Sequence, residues 1–406
     1  MSASSEQLNH DPRAGAFNLA ALGAALRARG AALHQRVVEQ CPHLYAVVPV
    51  FLARAQVEQM RAVVAAVMRV VALPGWGAGV AQPQTYAPQA GGVFFGYDFH
   101  VNADGIHLIE INTNAGGAFL NALLAQSQRD ANLPGGATGA DDMEAVYLEM
   151  FREEWRMQRG DAPLTSVAIV DENPQAQFLY PEFELARQMF ARAGLHAVIL
   201  DPSELETRAD GLYHDGRKID LIYNRLTDFS LEQHPALATA YANDRVVLTP
   251  HPFVYATYAD KRNLIRLTDA DALRALGADA ADIDILQRCV PQTRLVRAED
   301  VERWRAERKQ WFFKPVTGFG SRGTYRGENV TQRVFAEIMQ AEYVAQRLAP
   351  PDTRTIAVDG VDVTLKSDVR CYVYQGEIQV VGAGLYQGQT HNTRTPGGGF
   401  TLVRVV

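Results

Sequence analysis

Strand-like and helix-like segments alternate between residues 165 and 258, and this alternation restricts the fold more than any other feature of the chain. The apolar runs "TSVAIVD", "HAVILDP", "KIDLIYNR" and "RVVLTP" are typical of strands, and the amphipathic stretch "QAQFLYPEFELARQMFARAG", which ends at Gly194, is typical of a helix. Strands that alternate with helices favour a mostly parallel sheet, because each parallel crossover needs room for a helix. The sequence therefore predicts an α/β unit of about 90 residues in this region.

Helical periodicity precedes this unit in several segments. Leucines at three- to four-residue spacing predict a helix over 17–39, and valines and methionine at the same spacing predict one over about 53–72. The stretch 73–92 is rich in glycine, proline and glutamine and is expected to be a loop. Two further helices are predicted over 117–128 and 141–158.

Helices and strands are mixed after residue 260. Asp260 is the expected N-cap of a helix that begins with "DKRNLIRL", since its carboxylate can accept the free N–H groups of the first turn. The segments "KQWFFKPV" and "GTYRG" are predicted strands around a glycine-rich turn, and a helix over 331–340 and the strand "EYVAQRL" follow. A long hairpin over 354–388 and a strand in "FTLVRVV" come last.

Composition and charge exclude several classes of protein. With 406 residues, 47% of them hydrophobic and 21% charged, the chain is expected to be a soluble protein of two or three packed units. A net charge of −7, without any basic run longer than "DKRN", argues against a nucleic-acid partner. Cys41, Cys289 and Cys371 are far apart, which fits a reducing cytoplasm and argues against a disulfide scaffold. The sequence shows no signal peptide and no apolar run of membrane-spanning length, so no membrane partner is expected.

Two carboxylates and an amide meet on a predicted hairpin. The strands "GGVFFGYDFHV" and "IHLIEINT" are joined by "NADG", which is typical of a hairpin turn. Side chains alternate along a strand, so Glu110 and Asn112 share a face and the hairpin brings Asp98 opposite them. Such oxygen ligands suit Mg²⁺, with nucleotide phosphates completing its shell. A solvated strand face is the alternative, although a carboxylate among Phe, Ile and Leu neighbours needs a partner.

A lysine precedes a glycine-rich turn in "FFKPVTGFGSRG". Lys314 can place an ammonium on a polyphosphate, and the glycines let backbone N–H groups approach phosphate oxygens without a Cβ in the way. It is not the P-loop pattern, because the lysine comes before the loop. A plain hairpin with a surface lysine is the alternative. The candidate phosphate-binding residues of the turn are Gly318, Gly320, Ser321, Arg322 and Gly323.

Two arginines complete the set of candidate charged groups. Asp368 and Arg370 point to one face of a predicted strand, either as members of cross-strand ion pairs or as a phosphate donor and its orienting partner. Arg394 lies with His391 and Asn392 in the glycine-rich loop "THNTRTPGGGF", which could deliver an arginine to a developing negative charge. A flexible surface loop is the alternative for that stretch.

Residues 260–406 and 92–120 together resemble the ATP-grasp superfamily of carboxylate–amine ligases. In that family's usual order the Glu-x-Asn strand comes last, whereas here it precedes the nucleotide motifs. The order resembles that of eukaryotic-type glutathione synthetases, which are circularly permuted members. The resemblance rests on "DK" at 260–261, "KPVTGFGSRG" at 314–323, "YVAQRL" at 343–348, "DVR" at 368–370, "NTRTPGG" at 392–398 and "EIN" at 110–112.

The resemblance implies a mixed α/β and α+β architecture: a circularly permuted ATP-grasp fold with an inserted Rossmann-like α/β substrate domain. If the chain is permuted, the last strand must share a sheet with 93–99 or 107–112. The implied units are an N-terminal helical region and loop at 1–92, a metal-binding hairpin with helices at 93–160, the α/β substrate unit at 161–258 and the nucleotide-binding subdomains at 259–406.

The resemblance also implies residue roles in nucleotide binding. Lys261 and Lys314 would contact ATP phosphates, and the glycine loop would close over them as a lid. Gln346, Arg347 and Leu348 would form the hinge against which the adenine lies, partly through backbone groups.

Further roles follow for the metal and the reaction. Asp98, Glu110 and Asn112 would hold one or two Mg²⁺ ions. Arg370 and Arg394 would stabilise the transferred phosphoryl group and the later tetrahedral intermediate.

Substrate residues are expected at the carboxyl ends of the parallel strands, where open sheets bind ligands. Arg225 could hold a substrate carboxylate there, or it could pair with Asp228. Asn224 and Asn392 are further substrate-binding candidates.

The resulting expectation is an ATP-dependent carboxylate–amine ligase. ATP would convert a substrate carboxylate to an acyl phosphate, and an amine would displace the phosphate to form an amide bond. The expected cofactors are ATP and Mg²⁺, and the expected partners are small-molecule carboxylate and amine substrates, with a homodimer left open. The alternatives are a kinase on the same fold and a nucleotide-binding protein without turnover. The motifs do not separate ligase from kinase, but the complete set of charged residues disfavours the third class.

Overall fold

A computed structural model of the chain describes residues 4–80, 86–318, 320, 322–358, 360–390, 392 and 395–406. Within these residues the α-helices are α1 (Ser5–His10), α2 (Leu19–Arg29), α3 (Ala31–Gln40), α4 (Arg54–Val71), α5 (Ala118–Ser127), α6 (Met143–Arg159), α7 (Tyr180–Arg192), α8 (Pro235–Ala242), α9 (Pro252–Val254), α10 (Arg262–Leu267), α11 (Ala270–Ala275), α12 (Ala280–Cys289), α13 (Val301–Glu307) and α14 (Gln332–Gln340). No helix of the described ranges is long and apolar enough to cross a membrane.

Strands occur along the whole length of the described chain. They are β1 (Val50–Leu52), β2 (Phe95–Asn102), β3 (Gly105–Asn112), β4 (Ser166–Val170), β5 (His196–Leu200), β6 (Glu206–Arg208), β7 (Gly211–His214), β8 (Arg217–Lys218), β9 (Leu221–Asn224), β10 (Val247–Thr249), β11 (Thr293–Leu295), β12 (Trp311–Pro315), β13 (Tyr325–Arg326), β14 (Tyr343–Arg347), β15 (Asp352–Val358), β16 (Val361–Tyr374), β17 (Glu377–Tyr386) and β18 (Gly399–Val405).

The largest sheet joins segments from both ends of the sequence. Its order is β1-β18-β17-β16-β2-β3, with β15 also beside β16. The first half of β16 pairs with β15 and its second half pairs with β2, so β15 and β2 lie end to end along one edge of β16. The last strand, β18, therefore lies in the same sheet as the hairpin β2–β3, as the permuted order requires.

One face of this sheet carries a hydrophobic core. Helices α4 and α12 pack there against fully buried strand residues such as Phe99, Leu108 and Cys371. Because side chains alternate along a strand, the neighbours of these residues point to the opposite face. Those neighbours are the polar residues from which the candidate site is built.

A second sheet is parallel, as the alternation of strands and helices predicts. Its order is β10-β9-β4-β5, and all three pairings are parallel. Helix α7 connects β4 to β5 and α8 connects β9 to β10. A small antiparallel sheet, β6-β7-β8, lies between them in sequence and was not predicted, because its strands are only two to four residues long.

A third sheet is antiparallel, with the order β11-β14-β12-β13. The glycine-rich turn at 316–324 connects β12 to β13, and residues 348–351 lead from β14 directly to β15 in the largest sheet. This short connection brings the end of β14 close to β2 and β16.

Two predicted elements were wrong in detail. The helix expected over 17–39 is broken into α2 and α3 at Gly30, whose φ of 135° lies outside the helical region and is adopted readily only by glycine. The hairpin expected over 354–388 is three strands, β15, β16 and β17. The chain reverses twice there, with Gly360 at φ 80° and Gly376 at φ 84° in the two turns.

Candidate active site

Strands β2 and β3 pair with an irregularity beside the acidic residues. Asp98 lies opposite Glu110, but the next residue, Phe99, lies opposite Leu108. The pairing skips Ile109, so β3 contains a β-bulge with one extra residue. In the sequence, the alternation of apolar and polar residues is interrupted at the position of this bulge.

The bulge decides which face the acidic residues occupy. Leu108 points into the hydrophobic core, and in a regular strand Glu110 and Asn112 would follow it there. Because Ile109 is the extra residue, the alternation of side chains between the two faces of β3 shifts by one residue. Ile111 is therefore buried in the core, and Glu110 and Asn112 line a cavity on the other face. The predicted placement of Glu110 and Asn112 on one face with Asp98 is correct, and the bulge is what turns that face towards the cavity.

Arg370 on β16 lies directly opposite Asp98 on β2. Its Nε and Nη2 donate to the two carboxylate oxygens of Asp98 at 2.6 and 2.7 Å. Asn112 Nδ2 donates to Asp98 Oδ2 at 2.9 Å, and Arg370 Nη1 donates to the carbonyl oxygen of Gly116 at 3.2 Å. Arg370 therefore pairs across strands with Asp98, and Asp368 on its own strand makes other contacts.

Two lysines from different elements approach the bulged strand. Lys261 Nζ lies 3.1 Å from Glu110 Oε1 and donates to the carbonyl oxygen of Gly318 at 2.9 Å. Lys314 Nζ donates to the carbonyl oxygen of Ile109 at 2.7 Å and to Gln346 Oε1 at 2.8 Å. Both lysines are buried, so their charges interact more strongly with nearby groups than exposed charges would.

The charges in this cluster shift one another's pKa values. Burial raises the pKa of Asp98, although Arg370 opposes the shift. Burial also acts against ionisation of Glu110, but Lys261 and Lys314 outweigh it and lower the pKa of that carboxyl. Burial lowers the pKa of Lys314 to about 8, with Glu110 acting in the opposite direction. The protonation states of these groups therefore depend on one another.

The end of β14 forms the predicted hinge, but its side chains already contact other groups of the protein. Gln346 accepts from Lys314 and donates through Nε2 to Thr293 Oγ1 at 3.3 Å. The guanidinium of Arg347 lies 4.2 Å from the centre of the Trp311 ring. The N–H groups of Arg347 and Leu348 also donate within the protein, to the carbonyl oxygens of Gln292 and Gln310 at 2.8 and 3.1 Å. Backbone carbonyl groups are therefore what this strand end can offer to a ligand in the cavity.

A histidine and a tyrosine that the sequence interpretation missed hold Asp368. His100 Nε2 lies 3.0 Å from Asp368 Oδ1, and Tyr386 OH donates to the same oxygen at 2.8 Å. His100 Nδ1 also contacts the carbonyl oxygen of Ala349, just after the hinge. The signal for His100 was its position two residues after Asp98, which places both on one face of β2.

The glycine-rich turn borders the same cavity. Gly318, Gly320 and Arg322 are among the lining residues, and Gly320 has a φ of 58° that favours glycine. Gly323 also has a positive φ, 67°, and its carbonyl oxygen accepts from Tyr343 OH at 3.0 Å. Ser321 lies outside the described residues.

The second glycine-rich loop is described only in part. Asn392 lines the cavity, where its Nδ2 donates to the carbonyl oxygen of Gln387 and its Oδ1 accepts from Thr395 Oγ1 at 3.0 Å. The predicted catalytic Arg394 and its neighbour His391 lie outside the described residues.

These groups enclose a cavity of about 670 Å³ between the largest sheet and the β11–β14 sheet. The charged cluster on β2, β3 and β16 and the hinge on β14 both line this cavity. Its polar lining residues include Asp98, His100, Glu110, Asn112, Lys261, Lys314, Gln346, Asp368 and Arg370.

A second cavity of about 380 Å³ continues from the charged cluster towards the parallel sheet. It shares Glu110, Lys261 and Arg370 with the first cavity and adds Asp171, from the carboxyl end of β4, and Arg225, which follows β9. Burial raises the pKa of Asp171 to about 6, with Arg225 acting in the opposite direction. A buried cation and a buried acid thus face one chamber beside the charged cluster.

Arg225 does not pair with Asp228, the simpler of its two interpretations. Its Nη1 donates to Asn114 Oδ1 and to Tyr223 OH, the latter at 3.3 Å, while its buried Nε has no hydrogen-bond partner. Asp228 instead lies 3.0 Å from His234 Nδ1.

Asn224 is not among the residues that line either cavity. Its Nδ2 donates to the carbonyl oxygen of Pro250 at 3.2 Å, and its Oδ1 accepts from the N–H of Leu226 at 3.0 Å. Both ends of the amide are occupied by the backbone, so it stabilises the turn after β9.

The donor set fits Mg²⁺ when phosphates complete the shell. Asp98, Glu110 and Asn112 all line the cavity, and Mg²⁺ is commonly held by one or two carboxylates plus substrate phosphates. The described residues contain no group of three or more His, Cys, Asp or Glu side chains that could hold a metal ion by themselves. The chemistry therefore suits a metal that arrives with a nucleotide.

Comparisons with known proteins find similarity in structure but not in sequence. No protein-family model and no curated protein sequence matches the chain. A solved structure of a glutathione synthetase-like effector from Globodera pallida matches with a TM-score of 0.57 and 10% identity over 100% of both chains. A putative gamma-glutamylcysteine synthetase from Methylobacillus flagellatus matches with a TM-score of 0.49 and 12% identity, over 86% of this chain and 87% of the other. The ATP-grasp ligase PsnB, in a structure with minimal precursor, Mg and ADP, matches with a TM-score of 0.28 and 13% identity, over 59% of this chain and 88% of the other. The chain therefore has a fold similar over its whole length to that of a glutathione synthetase-like protein.

Proposed function

We propose that this chain is an ATP-dependent, ADP-forming carboxylate–amine ligase that makes an amide bond through an acyl phosphate. The observation that carries the proposal is the convergence of two lysines, one arginine and an oxygen-ligand set on one 670 Å³ cavity next to a hinge of backbone groups. Cations and carboxylates that lie side by side on one cavity suit a metal–triphosphate complex, because the phosphates bind the cations and the metal binds the carboxylates.

In this proposal the nucleotide lies along the cavity from the hinge to the charged cluster. The adenine contacts backbone carbonyl groups at Arg347 and Leu348. Asp368, held in place by His100 and Tyr386, lines the same cavity.

The phosphates extend towards Lys261 and Lys314, and Arg370 lies at the far end. Glu110 and Asn112, with Asp98, would hold Mg²⁺, which neutralises phosphate charge when bound. The turn at 317–323 would close over the phosphates and exclude water, since Gly318 already contacts Lys261.

The chemistry requires positioning and charge neutralisation and no protein nucleophile. A substrate carboxylate oxygen bonds to the γ-phosphorus while the bond to the β–γ bridging oxygen breaks, which releases ADP. The amine nitrogen then bonds to the acyl carbon, inorganic phosphate leaves, and the nitrogen loses a proton to solvent. Arg370, with Arg394, would stabilise the negative charge that develops in both steps.

The second cavity would hold the carboxylate substrate. Arg225 and Asp171 both line this chamber, so a substrate with both an anionic and a cationic group would find a partner for each. Asn392 would border the substrate from the first cavity.

We also propose that the chain order is a circular permutation of the ATP-grasp fold. Its support is that β18 and the β2–β3 hairpin share one sheet although they stand at opposite ends of the sequence. In this proposal 1–92 is a helical region and loop, 93–160 carries the metal-binding hairpin, 161–258 is an inserted Rossmann-like substrate unit and 259–406 binds the nucleotide.

The test is a screen of carboxylates, with and without amines, scored by nucleotide product. A ligase releases ADP, and sustained release requires both a carboxylate and an amine. Release of AMP would exclude the acyl-phosphate route. ADP release that needs one substrate only, with a stable phosphorylated product, would instead identify a kinase.

A further inference from the structure

The turn that follows the Glu-x-Asn strand lies against the charged cluster. The carbonyl oxygen of Gly116 accepts from Arg370 Nη1 at 3.2 Å and from Tyr372 OH at 2.9 Å. Gly117 has a φ of 98°, and a Cβ on it would lie 2.4 Å from the Phe400 ring. The two glycines of "NAGG" are thus needed for this close approach, and the Gly116 carbonyl is one of the groups that orients Arg370.

A buried carboxylate from another part of the chain fixes this turn. Glu182, in the first turn of α7, is fully buried. Its Oε1 and Oε2 accept from the N–H of Gly117 at 2.9 and 2.8 Å, and Oε1 accepts from the N–H of Phe119 at 3.1 Å. Gly117 has no side chain with which to cap helix α5, so Glu182 provides that cap from a distant element.

Helix capping alone does not require a fully buried charge. A buried carboxylate without compensation costs several kcal/mol, and an uncharged acceptor would satisfy the same N–H groups at less cost. Burial raises the pKa of Glu182, while Arg225, the N–H donors and Arg370 act in the opposite direction. Glu182 therefore lies within the field of both arginines, yet it lines neither cavity and cannot touch a ligand there.

We propose that Glu182 is a positioning residue: by fixing the Gly116–Gly117 turn it holds the Gly116 carbonyl against Arg370 and so aims the guanidinium at the transferred phosphoryl group. The inference rests on the proposed function, since it assigns the target of Arg370. It predicts that the loss of Glu182 weakens binding of the transferred phosphoryl group and leaves binding of the rest of the nucleotide unchanged.

The experiment measures ADP binding by calorimetry with Mg²⁺, in the presence and absence of aluminium fluoride, which with ADP mimics the phosphoryl group in transfer. Wild-type protein is expected to bind ADP more tightly when aluminium fluoride is present. Glu182→Gln should change the affinity for ADP alone less than about twofold. It should reduce the gain from aluminium fluoride about tenfold, which is below the ~10²-fold typical of deleting a transition-state donor outright.

Glu154→Gln is the matched control. Glu154 is also fully buried and also accepts from two glycine N–H groups, those of Gly91 and Gly92, at 2.9 and 2.8 Å. It makes no contact with Arg370. Glu154→Gln should lower thermal stability as Glu182→Gln does, but it should leave the gain from aluminium fluoride unchanged.

A double-mutant cycle tests whether Glu182 acts through Arg370. In an Arg370→Lys background, Glu182→Gln should reduce the remaining gain by less than about twofold, because residues that act through a shared partner are not additive. Tyr372→Phe, which removes the other donor to Gly116 without deleting a charge, should show the same non-additivity and replaces Glu182→Gln if that variant does not fold.

Each outcome decides the inference. Equal losses for Glu182→Gln and Glu154→Gln, or full additivity with Arg370→Lys, would overturn it. Wild-type protein that binds ADP without any gain from aluminium fluoride would also overturn it and leave nucleotide binding intact. Wild-type protein that binds no ADP would instead refute the proposed function.

Discussion

Arg370 and Asp98 stand opposite each other on neighbouring strands and share a two-bond ion pair, with donor–acceptor distances of 2.6 and 2.7 Å. Asp98 also belongs to the acidic set suited to Mg²⁺, so the candidate phosphoryl-binding cation and a candidate metal-binding acid are held in register by one strand pairing. Such a fork-to-fork pair fixes both side chains in direction as well as in distance.

Arg370→Lys tests whether the site needs only the positive charge of Arg370 or also the geometry of its guanidinium. Lysine keeps the positive charge but cannot bind both oxygens of Asp98 and the Gly116 carbonyl at once. We expect turnover to fall at least ~10-fold while nucleotide affinity changes little, since the phosphoryl group needs directed donors. Steady-state kinetics with the substrates from the screen would check this, and unchanged turnover would mean that only the charge matters.

Glu110→Gln tests the metal site. The substitution keeps the size of the side chain and removes one negative charge next to Lys261. We expect ATP turnover to fall at least ~10²-fold at saturating Mg²⁺ with folding intact, as for the loss of a strong electrostatic contact. Turnover like that of the wild type would assign Glu110 a structural role, with Lys261 as its partner.

Lys314→Met tests the nucleotide site. Methionine retains most of the packing of the buried lysine stem and removes the ammonium. Affinity for a non-hydrolysable ATP analogue should drop by ~1.5–3 kcal/mol if a charge-assisted phosphate contact is lost. Calorimetry of both proteins gives the difference, with the exposed Lys309→Met as control, and equal affinities would remove Lys314 from the site.

Arg354→Met is predicted to destabilise the protein without affecting the site. Arg354 is fully buried on β15, and its guanidinium donates to five backbone carbonyl oxygens. Leaving several buried acceptors without donors should lower the free energy of unfolding by about 3 kcal/mol or more. Those carbonyls belong to Asn9, Asp11, Ala14, Pro49 and Thr355.

Denaturant unfolding with nucleotide titration checks this prediction, and Arg333→Met, on an exposed helix face, is the control. Because the acceptors lie mostly near the N-terminus, we also expect faster proteolysis within residues 5–14 in Arg354→Met. A variant as stable as the control would show that the N-terminal segment docks through its apolar contacts alone.

Stability should depend on pH through His251. This side chain is buried, contacts the carbonyl oxygen of Ala90 through Nε2 at 2.9 Å, and burial lowers its pKa to about 4. The unfolded chain binds a proton near pH 6.5, whereas the folded chain resists it until about 4, so stability is lost as the pH falls through this window. The loss should amount to about 2–3 kcal/mol between pH 7 and 4.5.

His251→Gln can still donate to Ala90 but cannot titrate. Its free energy of unfolding, measured in urea at pH 7 and 4.5, should therefore fall by about 2–3 kcal/mol less than that of the wild type over the same interval. Parallel pH profiles for the two proteins would assign the acid sensitivity to other groups.

Local patterns in the sequence were enough to predict the strands and helices that flank the site. The alternation of apolar and polar residues in β2 and β16 predicted the shared face of Asp368 and Arg370, because a strand turns its side chains with a period of two whatever surrounds it. The alternating strands and helices after residue 165 predicted the parallel sheet for the same reason, because the local pattern of apolar residues reflects which residues are buried.

The tertiary structure decided the partners. Arg370 pairs with Asp98, which is 272 residues away, and Glu182 caps a helix 65 residues before it; no local pattern contains such contacts. The bulge at Ile109, where β3 pairs with β2, sets the face on which Glu110 lies. Periodicity assigns each side chain to a face, but the direction and neighbours of that face follow from long-range packing, which only the folded chain contains.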